Sequence, residues 1–536
     1  MSISPNQSFP KATVFNKQQL LSYYQDIPLT NSQFDALVKI VDFLNSPTQI
    51  FILNGYAGTG KTFLLKGIVS YLSKLYIPVT LTAPTGKAVR VLENKLDIKA
   101  YTIYSFIYSK PHPTDEPIEK SNKRKFRMLS RLNDNQALPF NQILFIDESS
   151  LISNVYSDSD VFVFGSGKLL EDIFTFMELP AFPQRKIIFI GDNAQLPPIR
   201  MNVSPALNPE YLKQNFNYQS FFYQLTDVVR QKLDSSVLKN SLMLREQIEN
   251  NHYQSLTFSC DLSCKKLQID YLTAHYLAFG KAHGFSKEII ICASNKLAYS
   301  YNVLIRSKLF PDKQEIQEGD YIIITTNNHL YHLNNGDIVR VKKILQKRIT
   351  VETTVWSYNH HIKQKTSSNV KFNFVDLIIE YLDHDKLASQ SIRIYENLLY
   401  SEDASLSEIE LQGLFQYTES RFNLLYPHKK RSNFATTEEF KAFKKARAEQ
   451  RGAFFNNDLY LNSVKCKFAY AITCHKAQGS EWKRVYVDCQ YFTNSLLNEQ
   501  YFRWLYTAIT RSKESLLLIN HQDITVDTDF NRYKFI

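Results

Sequence analysis

One segment with the spacing G-x-x-x-x-G-K-[ST] constrains this chain more than any other feature. It spans residues 55–62 and lies between an apolar run at residues 50–53 and a stretch with helical periodicity. Glycines let the backbone wrap tightly enough for its N–H groups to hold phosphate oxygens, and the lysine and hydroxyl that follow suit the β/γ-phosphates and Mg²⁺. The segment therefore predicts a phosphate loop for a nucleoside triphosphate. The residues assigned to it are Gly55, Ala57, Gly58, Thr59, Gly60, Lys61 and Thr62, with Thr62 also a Mg²⁺ ligand.

Short β-rich runs alternate with helical patterns from residue 50 to about residue 199, which is typical of parallel strands joined by helices. The clearest strands are predicted at residues 50–53, 79–82, 143–146 and 187–190. A cluster of polar residues follows each of them. Because ligands of open α/β sheets bind outside the carboxyl ends of the strands, we expect the four clusters to meet in one crevice.

Phosphoryl transfer needs a metal ion, a positioned water and cations that stabilise charge on the departing phosphates. Asp147 and Glu148 follow one of the strands, and we predict Asp147 as a metal ligand and Glu148 as the general base. Gln195 follows another strand and is predicted to contact the γ-phosphate or the attacking water. Arg230 and Arg511, both expected to belong to the second lobe, are the predicted cations.

The chain has 536 residues, which is too long for a single core. A second alternating region begins near residue 225, with strands predicted at 288–292, 468–473, 485–487 and 516–519. Between them lie short strands with tight turns, predicted at 321–324, 338–341, 349–351 and 391–394, which favour a small barrel. We therefore expect a second α/β domain that is split by an insertion.

The segment from about residue 401 to residue 461 has a helical and basic pattern. Its cations include Lys441, Lys444, Lys445, Arg447 and Arg451. A charged helix face is usually a solvated face, and a nucleic-acid contact is the alternative. Both interpretations stay open at this point.

The net charge of +11 and the isoelectric point near 9.0 favour a polyanionic partner. Aromatic residues make up 13% of the chain, which suits base stacking but also fits a general bias in composition. The first 19 residues lack the pattern of a signal peptide, and no run of about 18 apolar residues occurs. With six scattered cysteines, these features favour a cytoplasmic protein with reduced thiols and no membrane contact.

The ordered set of motifs resembles that of superfamily-1 helicases, and the residues within the motifs are similar to those of the RecD/Dda-type branch. The motifs are residues 55–62, 83–88, 147–150, 191–196, 229–231, 474–479 and 506–511. The resemblance implies ATP bound between two RecA-like domains, with Arg230 and Arg511 reaching across as arginine fingers. It implies that Gln33 reads the adenine and that Glu481 contacts the nucleotide sugar. The positions implied for gripping single-stranded DNA are Pro84, Thr85, Lys87, Thr102, Thr473, His475 and Lys476.

The same resemblance implies an α/β fold with a pin segment, an SH3-like barrel and a helical insertion. The expected RecA-like motor domains are residues 1–224, with a pin-type insertion at 101–137, and residues 225–318 with 462–536. The barrel is expected at 319–400 and the helical insertion at 401–461. Two features depart from the family pattern. Tyr104 stands where relatives often carry histidine, and Phe126 is the one clear aromatic residue for a pin tip.

The favoured hypothesis is an ATP-dependent translocase that moves 5′ to 3′ on single-stranded DNA and separates duplex at junctions, acting as a monomer in replication or repair. A small-molecule P-loop kinase would explain the phosphate loop but would leave the second α/β domain without a role. An ATP-switched clamp on nucleic acid, or a helicase directed to RNA, is the third reading. ATPase activity independent of nucleic acid favours the kinase, and stimulated hydrolysis without strand displacement favours the clamp.

Overall fold

The computed structural model describes residues 14–109, 112–114, 127–133, 138–156, 162–229, 235–346, 348–359, 364–383, 386–489, 497–527 and 532–535. Two of the predictions concern residues outside these ranges, namely the cation Arg230 and the pin tip around Phe126. No helix in the described part of the chain is both long and apolar enough to cross a bilayer.

The first α/β region has a parallel sheet with helices on both faces. Its elements are α1 (Lys17–Leu21), α2 (Asn31–Leu44), β1 (Ile50–Gly55), α3 (Lys61–Lys74), β2 (Val79–Ala83), α4 (Gly86–Leu96), β3 (Ala100–Thr102), α5 (Ile103–Ile107), β4 (His112–Thr114), β5 (Arg127–Ser130), β6 (Ile143–Ile146), β7 (Phe162–Phe164), α6 (Leu169–Met177), β8 (Lys186–Gly191), α7 (Pro209–Phe216) and β9 (Ser220–Leu225). Six strands pair in the order β3-β2-β6-β8-β1-β9, and β4, β5 and β7 form a separate small sheet. All four predicted strands are present, while β3 and β9 were not predicted.

Strand β1 lies inside this sheet, between β8 and β9, and every residue in it is buried. Alternate side chains face opposite layers, because successive residues of a strand point to opposite faces. Phe51 and Leu53 pack with α2, α3 and α4, whereas Ile50 and Ile52 pack with α5 and α6. The strand that enters the phosphate loop is therefore fixed from both sides.

The second region continues the chain with a similar set of elements. They are α8 (Ser236–Glu249), β10 (Ser255–Leu256), β11 (Cys264–Leu267), α9 (Ile269–His283), β12 (Glu288–Cys292), α10 (Asn295–Leu309), β13 (Tyr321–Ile324), β14 (Ile338–Ile344), β15 (Ile349–Asn359), β16 (Gln364–Asp383), β17 (Lys386–Tyr395), α11 (Glu408–Leu425), α12 (Thr437–Asn457), β18 (Val464–Phe468), β19 (Ala471–Thr473), α13 (Cys474–Ala477), β20 (Trp482–Asp488), α14 (Glu499–Ile509), β21 (Ser512–Ile519), β22 (Ile524–Asp527) and β23 (Arg532–Phe535). Short 3-10 helices lie at Ser22–Tyr24, Ser149–Leu151, Pro205–Leu207, Phe285–Lys287, Glu396–Tyr400 and Arg431–Asn433.

A second parallel sheet has the strand order β11-β21-β20-β12-β19. The chain leaves this sheet after β12 and returns at β19, with the inserted strands and helices between. The predicted α/β fold with two RecA-like domains is confirmed. Strand β11 was missed because its residues, Cys264–Leu267, are two lysines between a cysteine and a leucine.

The inserted strands form a mainly antiparallel sheet in the order β14-β13-β18-β17-β16-β15. Strand β14 also pairs with β16, which closes β13, β14, β16, β17 and β18 into a ring. An SH3-like assignment of this ring stays a prediction. The single strand predicted at 468–473 is wrong, because the chain divides there: β18 pairs with β13 and β17 in the ring, whereas β19 pairs with β12 in the parallel sheet.

Strand β16 is 20 residues long and was not predicted. Its first half is polar, with serine, threonine, asparagine and lysine, and such a sequence reads as a loop. Its backbone groups are instead satisfied by pairing with β15 along one half and with β17 along the other.

The two inserted helices, α11 and α12, each begin with a capping box, at Ser407 and Thr436 respectively. Two of the basic residues named for the helical insertion contact α11. Arg447 donates to Asn423 Oδ1, and Arg451 donates to Glu419 Oε2 at 2.7 Å. Lys441, Lys444 and Lys445 are exposed. A nucleic-acid role for this face stays a prediction.

One buried ion pair joins the inserted ring to the second parallel sheet. Arg306 on α10 binds Asp320 with two hydrogen bonds of 2.9 Å, and Asp320 is fully buried just before β13. The Tyr470 hydroxyl, just before β19, donates to Asp320 Oδ1 at 2.8 Å. The carboxylate therefore fixes the two points where the chain crosses between sheet and ring.

We expect Asp320→Ala to lower the free energy of unfolding by about 3–5 kcal/mol, because it leaves the Arg306 guanidinium buried without its counter-charge. The matched control is Glu352→Ala, which removes an ion pair to Lys371 whose side chains are 70% and 62% exposed and should change stability by about 0.5 kcal/mol or less. Urea unfolding followed by circular dichroism measures both. Equal effects of the two substitutions would contradict the anchoring role of Asp320.

Candidate nucleotide site and nucleic-acid face

The phosphate loop lies between β1 and α3, as its sequence predicts. Gly58 and Gly60 have φ angles of 85° and 86°, in the left-handed region that favours glycine. A Cβ atom on Gly60 would lie 2.5 Å from Gln33 Nε2, so a larger residue would also have to displace that amide group. Lys61 Nζ donates to the carbonyl oxygens of Gly55 and Tyr56, the latter at 3.0 Å. The lysine therefore lies inside the curve of the loop, where phosphates would be held.

Gln33 on α2 contacts the phosphate loop, and its exposed fraction is 2%. Its Oε1 accepts from the Thr30 N–H at 3.1 Å, which caps α2, and its Nε2 donates to the Thr59 carbonyl at 3.0 Å. Both amide atoms are thus used by the protein in this conformation. Reading of the adenine by Gln33 stays a prediction.

The two predicted carboxylates lie at the end of β6. Asp147 Oδ1 accepts from the Glu148 N–H at 2.9 Å, and Glu148 has a φ of 51°, an uncommon conformation for a non-glycine residue. Burial raises the pKa of both groups, and the charge of Asp147 raises the pKa of Glu148 further. The charge of Lys61 acts in the opposite direction on both. The phosphate loop and the acidic pair therefore share one site.

Hard oxygen ligands suit Mg²⁺, and this site offers a carboxylate from Asp147 and a hydroxyl from Thr62 in the first turn of α3. The donor set fits the ion. The raised pKa of Glu148 makes its carboxylate a stronger proton acceptor than an ordinary glutamate.

Gln195 and Asp192 lie on the loop after β8. Asp192 is fully buried, and its Oδ2 accepts from Gln195 Nε2 at 3.3 Å and from the Tyr506 hydroxyl at 2.9 Å. Gln195 Oε1 is buried and accepts no hydrogen bond from the described residues. The loop is thus bonded directly to the second domain.

Arg511 lies in the seam between the two domains and is 4% exposed. Its Nε donates to the Thr507 carbonyl at 2.9 Å, and its Nη2 donates to Thr510 Oγ1 at 3.0 Å. Its charge lowers the pKa of Glu148, so the guanidinium lies close enough to act on that carboxyl group. Arg230 lies outside the described residues. Val229 donates its N–H to the Gly58 carbonyl at 2.9 Å.

Sequence reasoning missed two residues of α14 that close the seam. The Tyr506 hydroxyl accepts from the Ala57 N–H of the phosphate loop at 3.4 Å, and Thr507 Oγ1 accepts from the Leu196 N–H at 2.9 Å. Both residues belong to the motif at 506–511, from which only the arginine was assigned a role. Their polar groups, four and five positions before Arg511, were the available signal.

The residues predicted to bind nucleic acid lie at the N-termini of two helices of the first domain and of one helix of the second. Thr85 Oγ1 caps α4 by accepting from the Ala88 N–H at 3.2 Å, and Thr102 Oγ1 caps α5 by accepting from the Ser105 N–H at 3.1 Å. Pro84, in the turn before α4, is partly exposed. The hydroxyls therefore have a local structural role, and a DNA contact through them stays a prediction.

The start of α4 also contacts the second half of the chain. Lys87 Nζ lies 4.8 Å from the ring centroid of Trp482, and burial lowers the pKa of Lys87 to about 8. A Cβ atom on Gly86 would overlap Asn334, so only glycine permits this approach to the inserted ring. Arg90 forms an ion pair of 3.0 Å with Asp337 on the same ring. The face is thus built from both halves of the chain.

On the second domain, Thr473 is 8% exposed, His475 is exposed and Lys476 is partly exposed at the start of α13. Burial and the charge of Lys467 lower the pKa of Lys476 to about 8. Glu481, four residues beyond this helix, pairs with Lys513 at 3.6 Å. Contact of Glu481 with a nucleotide sugar stays a prediction.

A phosphate loop on one RecA-like domain, closed by a tyrosine and a buried arginine from a second, defines a two-domain nucleotide-hydrolysing protein. Two family models match this chain: an AAA domain at residues 28–159 and a UvrD-like helicase C-terminal domain at residues 468–519. They cover the phosphate-loop half of the site and the half that carries Arg511.

Three proteins illustrate the relationship along the whole chain. An uncharacterized protein of Acanthamoeba polyphaga mimivirus is 25% identical over 89% of this chain and 97% of its own. The ATP-dependent DNA helicase dda of Enterobacteria phage T4 is 22% identical over 92% and 99%, and the RecBCD enzyme subunit RecD of Buchnera aphidicola is 23% identical over 96% and 78%. The predicted relationship to superfamily-1 helicases of the RecD/Dda type is confirmed.

Among solved structures, this chain is similar to the crystal structure of Pif1 helicase from Bacteroides in complex with ADP-AlF3 and single-stranded DNA. The match covers 92% of this chain and 93% of the Pif1 chain, with 15% identity and a TM-score of 0.42.

We expect Tyr506→Phe to weaken ATP binding about 5- to 100-fold, because a buried carboxylate loses a donor and the phosphate loop loses its contact with α14. Tyr501→Phe is the matched control: it removes another buried hydroxyl of α14, which donates at 2.9 Å to the Cys489 carbonyl away from the seam. Fluorescent nucleotide titration measures both. Unchanged affinity in Tyr506→Phe, or equal losses in both variants, would contradict the closing role of Tyr506.

Proposed function

We propose that this protein is an ATP-dependent DNA helicase that moves 5′ to 3′ along single-stranded DNA and separates duplex at junctions. One observation carries the proposal: Lys61 and Glu148 on one domain lie at a seam that Tyr506 and Arg511 of the other domain close. A seam of this kind changes with each round of nucleotide binding and hydrolysis. It can therefore drive one domain against the other.

In the proposed hydrolysis step, Lys61 binds the β/γ-phosphates and Glu148 accepts a proton from the attacking water. Mg²⁺, held by Thr62 and Asp147, would neutralise charge on the phosphates. Gln195 has a buried oxygen that accepts no hydrogen bond from the described residues, and it orients the water. Arg511, together with Arg230, stabilises the negative charge that develops on the phosphates.

The proposed DNA path crosses the carboxyl edges of both parallel sheets. The first domain contributes the starts of α4 and α5, with Pro84, Thr85, Lys87 and Thr102, and the second contributes Thr473, His475 and Lys476 at α13. Closure of the seam on ATP and its opening after hydrolysis would alternate the grip of the two sides, which moves the strand. A monomer suffices, since one chain supplies both halves of the seam.

Strand displacement tests the motor and its direction together. We expect forked and 5′-tailed duplexes to be separated with ATP and 3′-tailed duplexes to remain intact, whereas Lys61→Ala and Glu148→Gln abolish turnover. Matched RNA duplexes distinguish an RNA-directed helicase. Hydrolysis stimulated by DNA without displacement of any substrate would contradict the helicase and indicate an ATP-switched clamp. Near-normal hydrolysis by either variant would contradict the site.

The affinity for single-stranded DNA should fall as the pH rises above about 8. Lys87 and Lys476 each have a pKa lowered to about 8, and only the protonated ammonium binds a phosphate, so the contribution of each is complete below that pH and is lost above it. Fluorescence anisotropy between pH 7 and pH 9.5 measures the affinity. In the double variant Lys87→Arg with Lys476→Arg, the guanidinium stays charged and the response should flatten. A decline that is the same in the variant would exclude these two lysines from the DNA path.

A further inference from the structure

The peptide groups of Leu196 are held from two sides by the second domain. Its N–H donates to Thr507 Oγ1 of α14 at 2.9 Å, and its carbonyl accepts from Gln478 Nε2 at 3.1 Å. Leu196 follows Gln195, the residue predicted to contact the γ-phosphate. A movement of Gln195 therefore displaces a peptide to which two elements of the other domain are bonded.

Gln478 connects this peptide to the proposed DNA face. It is 5% exposed and directly follows α13, the short helix that carries His475 and Lys476. The same turn reaches Arg511, which donates to the Ser480 carbonyl at 3.5 Å. One turn of chain thus touches the loop of Gln195, the buried arginine and the DNA-facing helix.

The residue before Leu196 and the residue that bonds its carbonyl each have a buried side-chain oxygen without a donor among the described residues. Gln195 Oε1 and Gln478 Oε1 are both buried, and neither accepts a hydrogen bond from the described residues. A buried acceptor without a donor is costly, so either oxygen would gain from a donor that a movement of the domains brought within reach.

We propose that Gln478 is a positioning residue that couples the nucleotide state of the Gln195 loop to the grip of α13 on DNA. This inference rests on the proposed function. Contact of Gln195 with the γ-phosphate shifts the Leu196 carbonyl, Gln478 follows through its hydrogen bond, and the start of α13 moves with it. Gln478 touches neither nucleotide nor DNA in this scheme, so its loss uncouples the two sites and leaves each able to bind.

The variant Gln478→Leu tests the coupling, because it keeps the side-chain volume and removes the donor. We expect hydrolysis without DNA to stay within about twofold of the wild type, while the stimulation of hydrolysis by single-stranded DNA falls about tenfold. The difference in DNA affinity between protein with a non-hydrolysable ATP analogue and protein without nucleotide should disappear.

Gln247→Leu is the matched control. Gln247 lies on α8, and its Nε2 likewise donates to a backbone carbonyl, that of Ser255 at 2.9 Å, while its Oε1 is likewise buried without a partner among the described residues. Gln247 makes no hydrogen bond to the Leu196 peptide. The control variant should therefore leave unchanged the stimulation factor, which is the ratio of the hydrolysis rates with and without single-stranded DNA. Equal losses in the two variants would reduce the role of Gln478 to packing and overturn the proposal.

Two further variants keep the proposal falsifiable if Gln478→Leu folds poorly. Thr507→Val removes the other bond to Leu196, and the two substitutions should be non-additive in a double-mutant cycle on the stimulation factor, because both act on one peptide. In Gln478→Glu the carboxylate cannot donate to the Leu196 carbonyl, but a protonated carboxyl group can. Stimulation relative to wild type should therefore recover as the pH is lowered from 8 towards 6.

Additivity in the cycle together with no recovery at low pH would overturn the coupling. The wild-type protein separates this failure from failure of the proposed function. If DNA does not stimulate wild-type hydrolysis, the helicase proposal fails. If the wild type is stimulated and displaces strands while Gln478→Leu behaves identically, only the coupling role fails.

Discussion

The hydrogen bond between the Tyr506 hydroxyl and the buried Asp192 carboxylate holds the two α/β domains together at the nucleotide site. Because Asp192 is fully buried, it depends on donors from both its own loop and α14. The same hydroxyl accepts from the Ala57 N–H of the phosphate loop. The loop that would bind phosphate, the loop that would sense it and the helix that precedes Arg511 therefore meet at one oxygen atom.

Electrostatics explain why this seam responds to a nucleotide. Two carboxyl groups with raised pKa values lie near Lys61, and the charge of Arg511 lowers the pKa of one of them, Glu148. Such a site brings positive and negative groups close together, so a highly charged ligand changes the interactions among them. On the outer face, the partly exposed Lys87 and Lys476 have pKa values lowered to about 8, and below that pH their positive charge can attract a polyanion.

The sequence predicted the elements that bear motifs much better than those that do not. Strands β1, β2, β6 and β8 are apolar runs bounded by glycine or polar clusters, and their parallel pairing follows from the helices between them. Strand β16 could not be read in this way, because its stability comes from pairing with β15 and β17 rather than from its own composition. The division of residues 464–473 between two sheets also depends on tertiary pairing, which no local pattern encodes.

The candidate site shows the same limit at the level of side chains. Lys61, Asp147 and Glu148 could be assigned from their chemistry and spacing. Tyr506, Thr507 and Gln478 act through contacts across the seam, and a polar residue gives no sign in a sequence of which backbone group it will bond. Gln33 illustrates the converse. The family resemblance assigns its side chain to the adenine, but here the side-chain amide bonds the cap of α2 and the phosphate loop itself.

The split second sheet also sets the order in which the protein can fold as it leaves the ribosome. The first sheet is complete once Leu225 has been made, whereas Cys264 of β11 pairs with Leu516 of β21, far along the chain. The apolar strand β12 must therefore wait for β19 and β20, with its isoleucines uncovered in the meantime. Nascent chains should be most vulnerable to aggregation and to chaperone capture during synthesis of the inserted ring and helices.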